Sequence, residues 1–186
     1  ISEERKIKYV VNEIIKQNKK IDFLINCAGF SNYKEFINQT SEDIIAIMDV
    51  NFFGAVYFCK YMLPFIEKNG HIINIASIAG KVGFPNLSIY CASKFALVGF
   101  SESLYYELKD KRIKVSVVCP GAVETDFYRD ESFKKFPHNK RHRKNLKPEQ
   151  VAKEIKKVLI NNNSEITVPR SYKLKIILKE VFKPLI

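Results

Sequence analysis

Four cysteines in 186 residues, with no CxxC pair among them, leave neither a disulfide framework nor a dithiol redox motif. Cys27, Cys59, Cys91 and Cys119 are widely spaced, and three of them sit among apolar or small residues. They read as reduced core thiols in a reducing compartment, so a cytoplasmic location is expected. No uninterrupted apolar run reaches the roughly 18–20 residues a bilayer crossing needs. No signal peptide is visible, but the chain opens on Ile1 rather than methionine, so a natural N-terminus further upstream is expected. Repeats and low-complexity segments are absent, and no metal site is expected. What is present is ordinary for one soluble globular domain: 46% hydrophobic and 27% charged residues, in a chain long enough to bury a core.

Acidic residues are missing from one stretch. Between residues 132 and 147 lie Lys134, Lys135, Lys140, Arg141, Arg143, Lys144 and Lys147 with no Asp or Glu, a large part of the net charge of +11. A solvated loop, attraction of an anionic substrate or lipid, and nucleic-acid binding all compete for this run. The last lacks any accompanying reading module, and no nucleic-acid partner is expected.

Hydrophobic spacing orders the rest. Residues 2–19 carry Ile7, Val10, Val11, Ile14 and Ile15 as a helical stripe. Residues 21–27 are a short apolar run stopped by Ala28-Gly29, a buried strand. Thr40 or Ser41 caps a helical pattern running to about Lys68, which Gly70 breaks. Strands follow at 71–76, 113–119 and 165–169, separated by helices at 90–111 and after Pro148. Strands alternating with helices of this length imply a parallel sheet covered on both faces. Ligands of such sheets bind outside the carboxyl ends of the strands, here where Asn26-Cys27-Ala28-Gly29, Ser77 and Pro120-Gly121 leave them.

Tyr90 and Lys94 stand four apart at a helix start, so both project from one face. A free phenol titrates near ~10 and is a poor base at neutral pH. A neighbouring ammonium stabilises the phenolate, which suits proton exchange with an alcohol or carbonyl oxygen. Ser77, at the end of the neighbouring strand, can donate to that same oxygen. A YxxxK pair alone is common on exposed helices; one that follows a strand-end serine by thirteen positions is far more specific.

With these residues in place the chain resembles the short-chain dehydrogenase/reductase family. Asn26-Cys27-Ala28-Gly29 matches its NNAG segment with cysteine in the second place. Asn51, in the stretch Asp49-Val50-Asn51-Phe52-Phe53-Gly54, matches the helix asparagine of its catalytic tetrad. Ser77 matches its strand-end serine, residues 90–94 its YxASK signature, and residues 120–125 its PGxVxT segment. The resemblance runs from about residue 21 to 169. It implies a Rossmann-like doubly wound parallel α/β sheet, hydride transfer between NAD or NADP and an alcohol or carbonyl, and a homodimer or tetramer paired through residues 52–66 and the YxxxK helix. In it Tyr90 would be the general acid in reduction or base in oxidation. Lys94 would lower the pKa of Tyr90 and hold the nicotinamide ribose. Ser77 would polarise the substrate oxygen, and Asn51 would hold a water of a proton relay. Asn26, Cys27, Ala28, Gly29, Tyr90, Lys94, Pro120, Gly121, Val123 and Thr125 would line the cofactor, with Thr125 equally readable as a helix cap.

The family's glycine-rich TGxxxGxG loop does not occur in this sequence. The chain therefore reads as a single partial Rossmann domain over residues 1–186, lacking the first strands and inactive alone, with residues 21–27 as an exposed apolar edge. A substrate loop at 122–147 and a tail at 170–186 are set apart within it. The substrate is expected to be a small or lipophilic alcohol or carbonyl, whose identity that loop decides. Two other functions compete: a non-catalytic fragment serving as a scaffold, and a protein that touches a membrane surface through its basic loop and tail.

Overall fold

The computed structural model describes residues 3–17, 20–136 and 145–181. The amphipathic stripe builds helix α1 (Glu4–Gln17), which buries Ile7 and Val11 against Met62. Strand β1 (Ile21–Asn26) follows. Thr40, of the two candidate caps, starts helix α2 (Ser41–Met48). Its hydroxyl accepts from the Asp43 N–H at 3.1 Å while the Asp43 carboxylate accepts from the Thr40 N–H at 3.2 Å. The helix continues through a wider π turn (Asp49–Phe53) into α3 (Gly54–Met62).

Here one expectation is corrected. The helical path ends in a 3-10 turn at Leu63–Phe65, where Pro64 cannot donate a backbone hydrogen bond, and not near Lys68. Strand β2 (Ile66–Ile75) begins at once, and Gly70 lies inside it instead of before it. The pairing with β1 shifts register there, Ile21 facing Ile66 but Phe23 facing His71. Asn69 has φ 70°, and a Cβ on Gly70 would lie 2.6 Å from Ile66 Cγ2 and 2.8 Å from the Glu67 carbonyl. Gly70 serves a bulge. The 25-residue helical path Ser41–Phe65 is also long and apolar enough to cross a membrane by length and composition. Glu42, Asp43, Asp49 and Lys60 punctuate it, so it is no uninterrupted apolar run. In this fold it packs on β1, β2, α1 and helix α4 (Ser88–Leu108).

Strand β3 (Lys114–Pro120), helix α5 (Pro148–Asn161, with Pro148 in its first turn), strand β4 (Glu165–Val168) and helix α6 (Ser171–Val181) complete the order. The four strands are parallel in the order β1-β2-β3-β4. Alternation sorts their side chains: Ile72, Val115, Val117 and Cys119 pack with Cys59, Leu97 and Leu104 of α3 and α4, whereas Ile73, Val118, Ile166 and Val168 meet Val158 of α5. Burying each such side chain contributes ~1.5–3 kcal/mol. The expected cover on both faces holds for the inner strands but not for β1, where Phe23 and Ile25 remain 54% and 46% exposed. Lys140, Arg141, Arg143 and Lys144 of the basic run, and Phe182 and Leu185 of the tail, lie outside the described residues.

Candidate active site

The carboxyl ends of β1, β2 and β3 open onto one cleft of about 910 Å³, with the first turns of α4 as its side wall. Cys27, Ala28, Gly29, Ser77, Tyr90, Lys94, Pro120, Gly121, Val123 and Thr125 all line it. Of the residues singled out from the sequence, only Asn26 and Asn51 do not.

Lys94 is 4% exposed, and its amine donates to the Ile75 carbonyl at 3.0 Å, 5.8 Å from the centre of the Tyr90 ring. Burial in low dielectric pulls its pKa down to about 8. A Cβ on Gly29 would stand 3.2 Å from this amine and 3.1 Å from Asn51 Oδ1, so the glycine leaves the approach to Lys94 open. Burial pushes the Tyr90 phenol pKa above its ordinary value, and the neighbouring Ser77 side chain offsets only part of that. The lowering expected from Lys94 is not seen: desolvation is the largest influence on the phenol, and the Lys94 amine is turned to the Ile75 carbonyl. The phenol is held in its protonated form.

Ser77 is placed by its own turn. Its Oγ accepts from the Ala79 N–H at 3.1 Å, capping the 3-10 turn Ile78–Gly80. That turn lies flush on α4 because Gly80 has no side chain; a Cβ there would sit 2.6 Å from the Lys94 carbonyl. Asn51 lies in the π turn at 1% exposure. Its Nδ2 donates to the Phe30 carbonyl at 2.9 Å and to Ser93 Oγ at 3.0 Å, and its Oδ1 accepts from the Phe30 N–H at 2.9 Å. The amide ties the loop after β1 to α4, one residue from Lys94. Asn26 points into the sheet, donating to Asn74 Oδ1 at 2.8 Å and Cys59 Sγ at 3.4 Å, and Asn74 in turn donates to Ser101 Oγ at 2.8 Å. The Asn26 side chain is thus a brace between strands. Thr125 lines the cleft and also caps a turn, its hydroxyl accepting from the Phe127 N–H at 3.3 Å.

Opposite Ser77 and Tyr90 stands a roof the sequence did not announce. Phe127 lies 5.2 Å from the Tyr90 ring and 5.6 Å from Phe133, Tyr128 lies 5.3 Å from Phe133, and Tyr33 lies 5.1 Å from Phe136. The Tyr33 N–H donates to Ser132 Oγ at 2.8 Å, and the two ends of the loop are joined by Leu146 N–H to Ala122 carbonyl (2.8 Å) and Glu124 N–H to Leu146 carbonyl (2.9 Å). Tyr33, Asn74 and Gly80 escaped the sequence reading, and Ser93 entered it only as a letter of the YxASK signature. Asn74 left a signal, a polar residue inside an apolar strand; the others are legible only once distant segments meet. Among the described residues no cluster of His, Cys, Asp and Glu could hold a metal.

The family model for short chain dehydrogenases matches residues 1–135. The 3-ketodihydrosphingosine reductase of Dictyostelium discoideum is 40% identical over 141 residues, covering 73% of this chain and 42% of that protein. Carbonyl reductase family member 4 of Xenopus laevis is 39% identical over 132 residues, covering 70% and 56%. The chain spans about half the length of these curated relatives. Among solved structures, a short chain dehydrogenase/reductase from Burkholderia phymatum in complex with NAD superposes with a TM-score of 0.86 at 21% identity, over 99% of this chain and 74% of that one. One from Burkholderia cenocepacia in complex with NADP gives a TM-score of 0.79 at 22% identity, over 91% and 72%.

Proposed function

The chain belongs to the short chain dehydrogenase family, and from that membership we propose that the protein transfers hydride between NAD or NADP and an alcohol or carbonyl compound, with Tyr90 as its proton donor and acceptor. The observation that carries this reading is the meeting of Ser77, Tyr90 and Lys94 in one cleft at the carboxyl ends of parallel strands, with the buried Lys94 amine 5.8 Å from the Tyr90 ring centre. The neighbours in complex with NAD and with NADP support either dinucleotide.

The residues present fit the nicotinamide half of such a cofactor. The Ile75 carbonyl takes one of the three Lys94 protons, leaving donors for sugar hydroxyls where Gly29 leaves room. Ala28, Gly121 and Val123 offer backbone and small apolar surface on either side. When bound, the cofactor supplies or accepts the hydride; the chain handles the proton. In reduction, Ser77 donates a hydrogen bond to the substrate oxygen, and Tyr90, kept protonated by burial, delivers its proton there as charge develops. Lys94, titrating near neutrality, restores the phenol. Asn51 holds the loop after β1 against α4, so that Gly29 and Lys94 keep their spacing. In oxidation the same groups run in reverse.

A homodimer or tetramer through the helical path 52–66 and α4, where Phe53 and Phe95 stay exposed, and cytoplasmic residence belong to the same proposal. The test is the Tyr90→Phe variant of the full-length protein. It is expected to lose about 10²–10⁴-fold in turnover while binding the dinucleotide within about twofold of wild type by calorimetry. Turnover within tenfold of wild type would refute the assignment of the acid.

A further inference from the structure

Helix α6 is fastened to the body along one side. It packs on β4, and its Tyr172 ring closes on Gly121, where a Cβ would lie 2.9 Å from the ring. Ile176, four positions on and so on the same side, is half-buried like Tyr172. The opposite side carries Leu174, Ile177 and Leu178, spaced i, i+3 and i+4, and these stay 62%, 48% and 46% exposed. A helix that served only to cover the sheet would turn such a stripe inward. We infer that this face docks on an anionic lipid bilayer, the helix lying in the plane of the headgroups with its apolar stripe toward the acyl chains.

Charge selects this partner. Arg170, Lys173, Lys175 and Lys179 are interleaved in sequence with the stripe, and no Asp or Glu occurs from residue 166 to residue 179. Lys173 is exposed, and so is Arg170, whose Nε stands 3.7 Å from Glu154. An apolar stripe beside basic groups matches the two layers of a membrane surface, acyl boundary and phosphate. Each basic residue near an anionic surface strengthens binding about fivefold. A second copy of the chain fits this face poorly, because a two-fold contact through it would set Arg170 and Lys173 against their own counterparts. The turn after β1 makes the contrast. Phe36 and Ile37 are 65% and 86% exposed there, but Glu35 and Glu42 flank them at the surface, and Lys34 is paired with Asp43 at 2.6 Å. That apolar pair stands in an acidic setting which lipid phosphates would repel.

The experiment uses the full-length protein and two kinds of vesicle, pure phosphatidylcholine and an equimolar mixture of phosphatidylcholine and phosphatidylglycerol, with binding read by co-sedimentation. Affinity for the mixed vesicles is expected to exceed that for the neutral ones at least about 10-fold, and to fall by a similar factor at high salt. Joint substitution Leu174→Ser, Ile177→Ser and Leu178→Ser is expected to weaken binding to the mixed vesicles about 10-fold or more with the melting temperature kept, because all three side chains are exposed. The pair Phe36→Ser and Ile37→Ser is expected to bind as wild type, and so is Tyr90→Phe, which separates lipid docking from turnover. No tryptophan occurs in this sequence, so Leu178→Trp adds a reporter whose emission is expected to shift to the blue on mixed vesicles. Equal binding to neutral and mixed vesicles, binding that survives the triple substitution, or a Leu178→Trp emission unmoved by lipid would overturn the inference. A dimer that dissociates on the triple substitution would overturn it too, and would assign the face to a second copy of the chain.

Discussion

The floor of the cleft and its roof are held by different physics. In the floor, side chains are fastened by short polar contacts to backbone: Lys94 to the Ile75 carbonyl at 3.0 Å, Ser77 to the Ala79 N–H at 3.1 Å, and Asn51, behind them, to both backbone groups of Phe30. In the roof, five rings lean on one another and local side chains cap two short 3-10 turns, Thr125 for Asp126–Arg129 and Asp130 for Glu131–Lys135. Polar contacts of the first kind fix distance and direction to a few tenths of an ångström. Ring contacts fill space and tolerate exchange of one apolar shape for another. Chemistry that moves a proton needs the first, and closing a roof over the cleft needs only the second.

The comparison can be broken from either side. The floor should fail sharply when one charge is removed: Lys94→Met is expected to weaken dinucleotide binding by about 10²-fold. Because burial lowers the Lys94 pKa to about 8, the ammonium is present below that pH and lost above it. Wild-type affinity should therefore decline as pH rises through about 8, and the variant should lack this step; calorimetric titration at several pH values reads both. The roof should yield gently. Ser132→Ala removes the acceptor for the Tyr33 N–H and is expected to cost about 1 kcal/mol of stability in urea unfolding, while raising KM for the carbonyl substrate more than it lowers kcat. A large loss of kcat in Ser132→Ala would show that the roof also positions the reacting groups.

The same contrast explains what could be read from the sequence. Floor residues announce themselves because the chemistry demands particular types at fixed local spacing: Tyr90 and Lys94 on one helix face, Ser77 at a strand end, Gly29 where backbone must approach an amine. The alternating order of helices and strands, the parallel sheet and the convergence of three strand ends followed from hydrophobic periodicity. The Tyr90 pKa did not, because its direction depends on how far burial beats one neighbouring charge. Asn26 carries the motif letter of a cofactor contact, but its partner, Asn74, lies 48 positions away and turns it into the sheet. Tyr33 meets Ser132 across 99 positions, a contact no local pattern encodes. The end of the long helix was misplaced because Gly70 looks like a stop and is instead the small residue a bulge requires.

The central claim is that burial, rather than the charge of Lys94, sets the protonation state of Tyr90. Carbon-13 NMR of protein labelled at the tyrosine ζ carbon, with Tyr90 assigned through its phenylalanine variant, follows that state directly. The account predicts a Tyr90 signal that stays at the phenol position throughout the neutral range and past the ordinary tyrosine midpoint of 10. A phenolate signal already appearing between pH 6 and 8, on the order of two units or more below that midpoint, would contradict it.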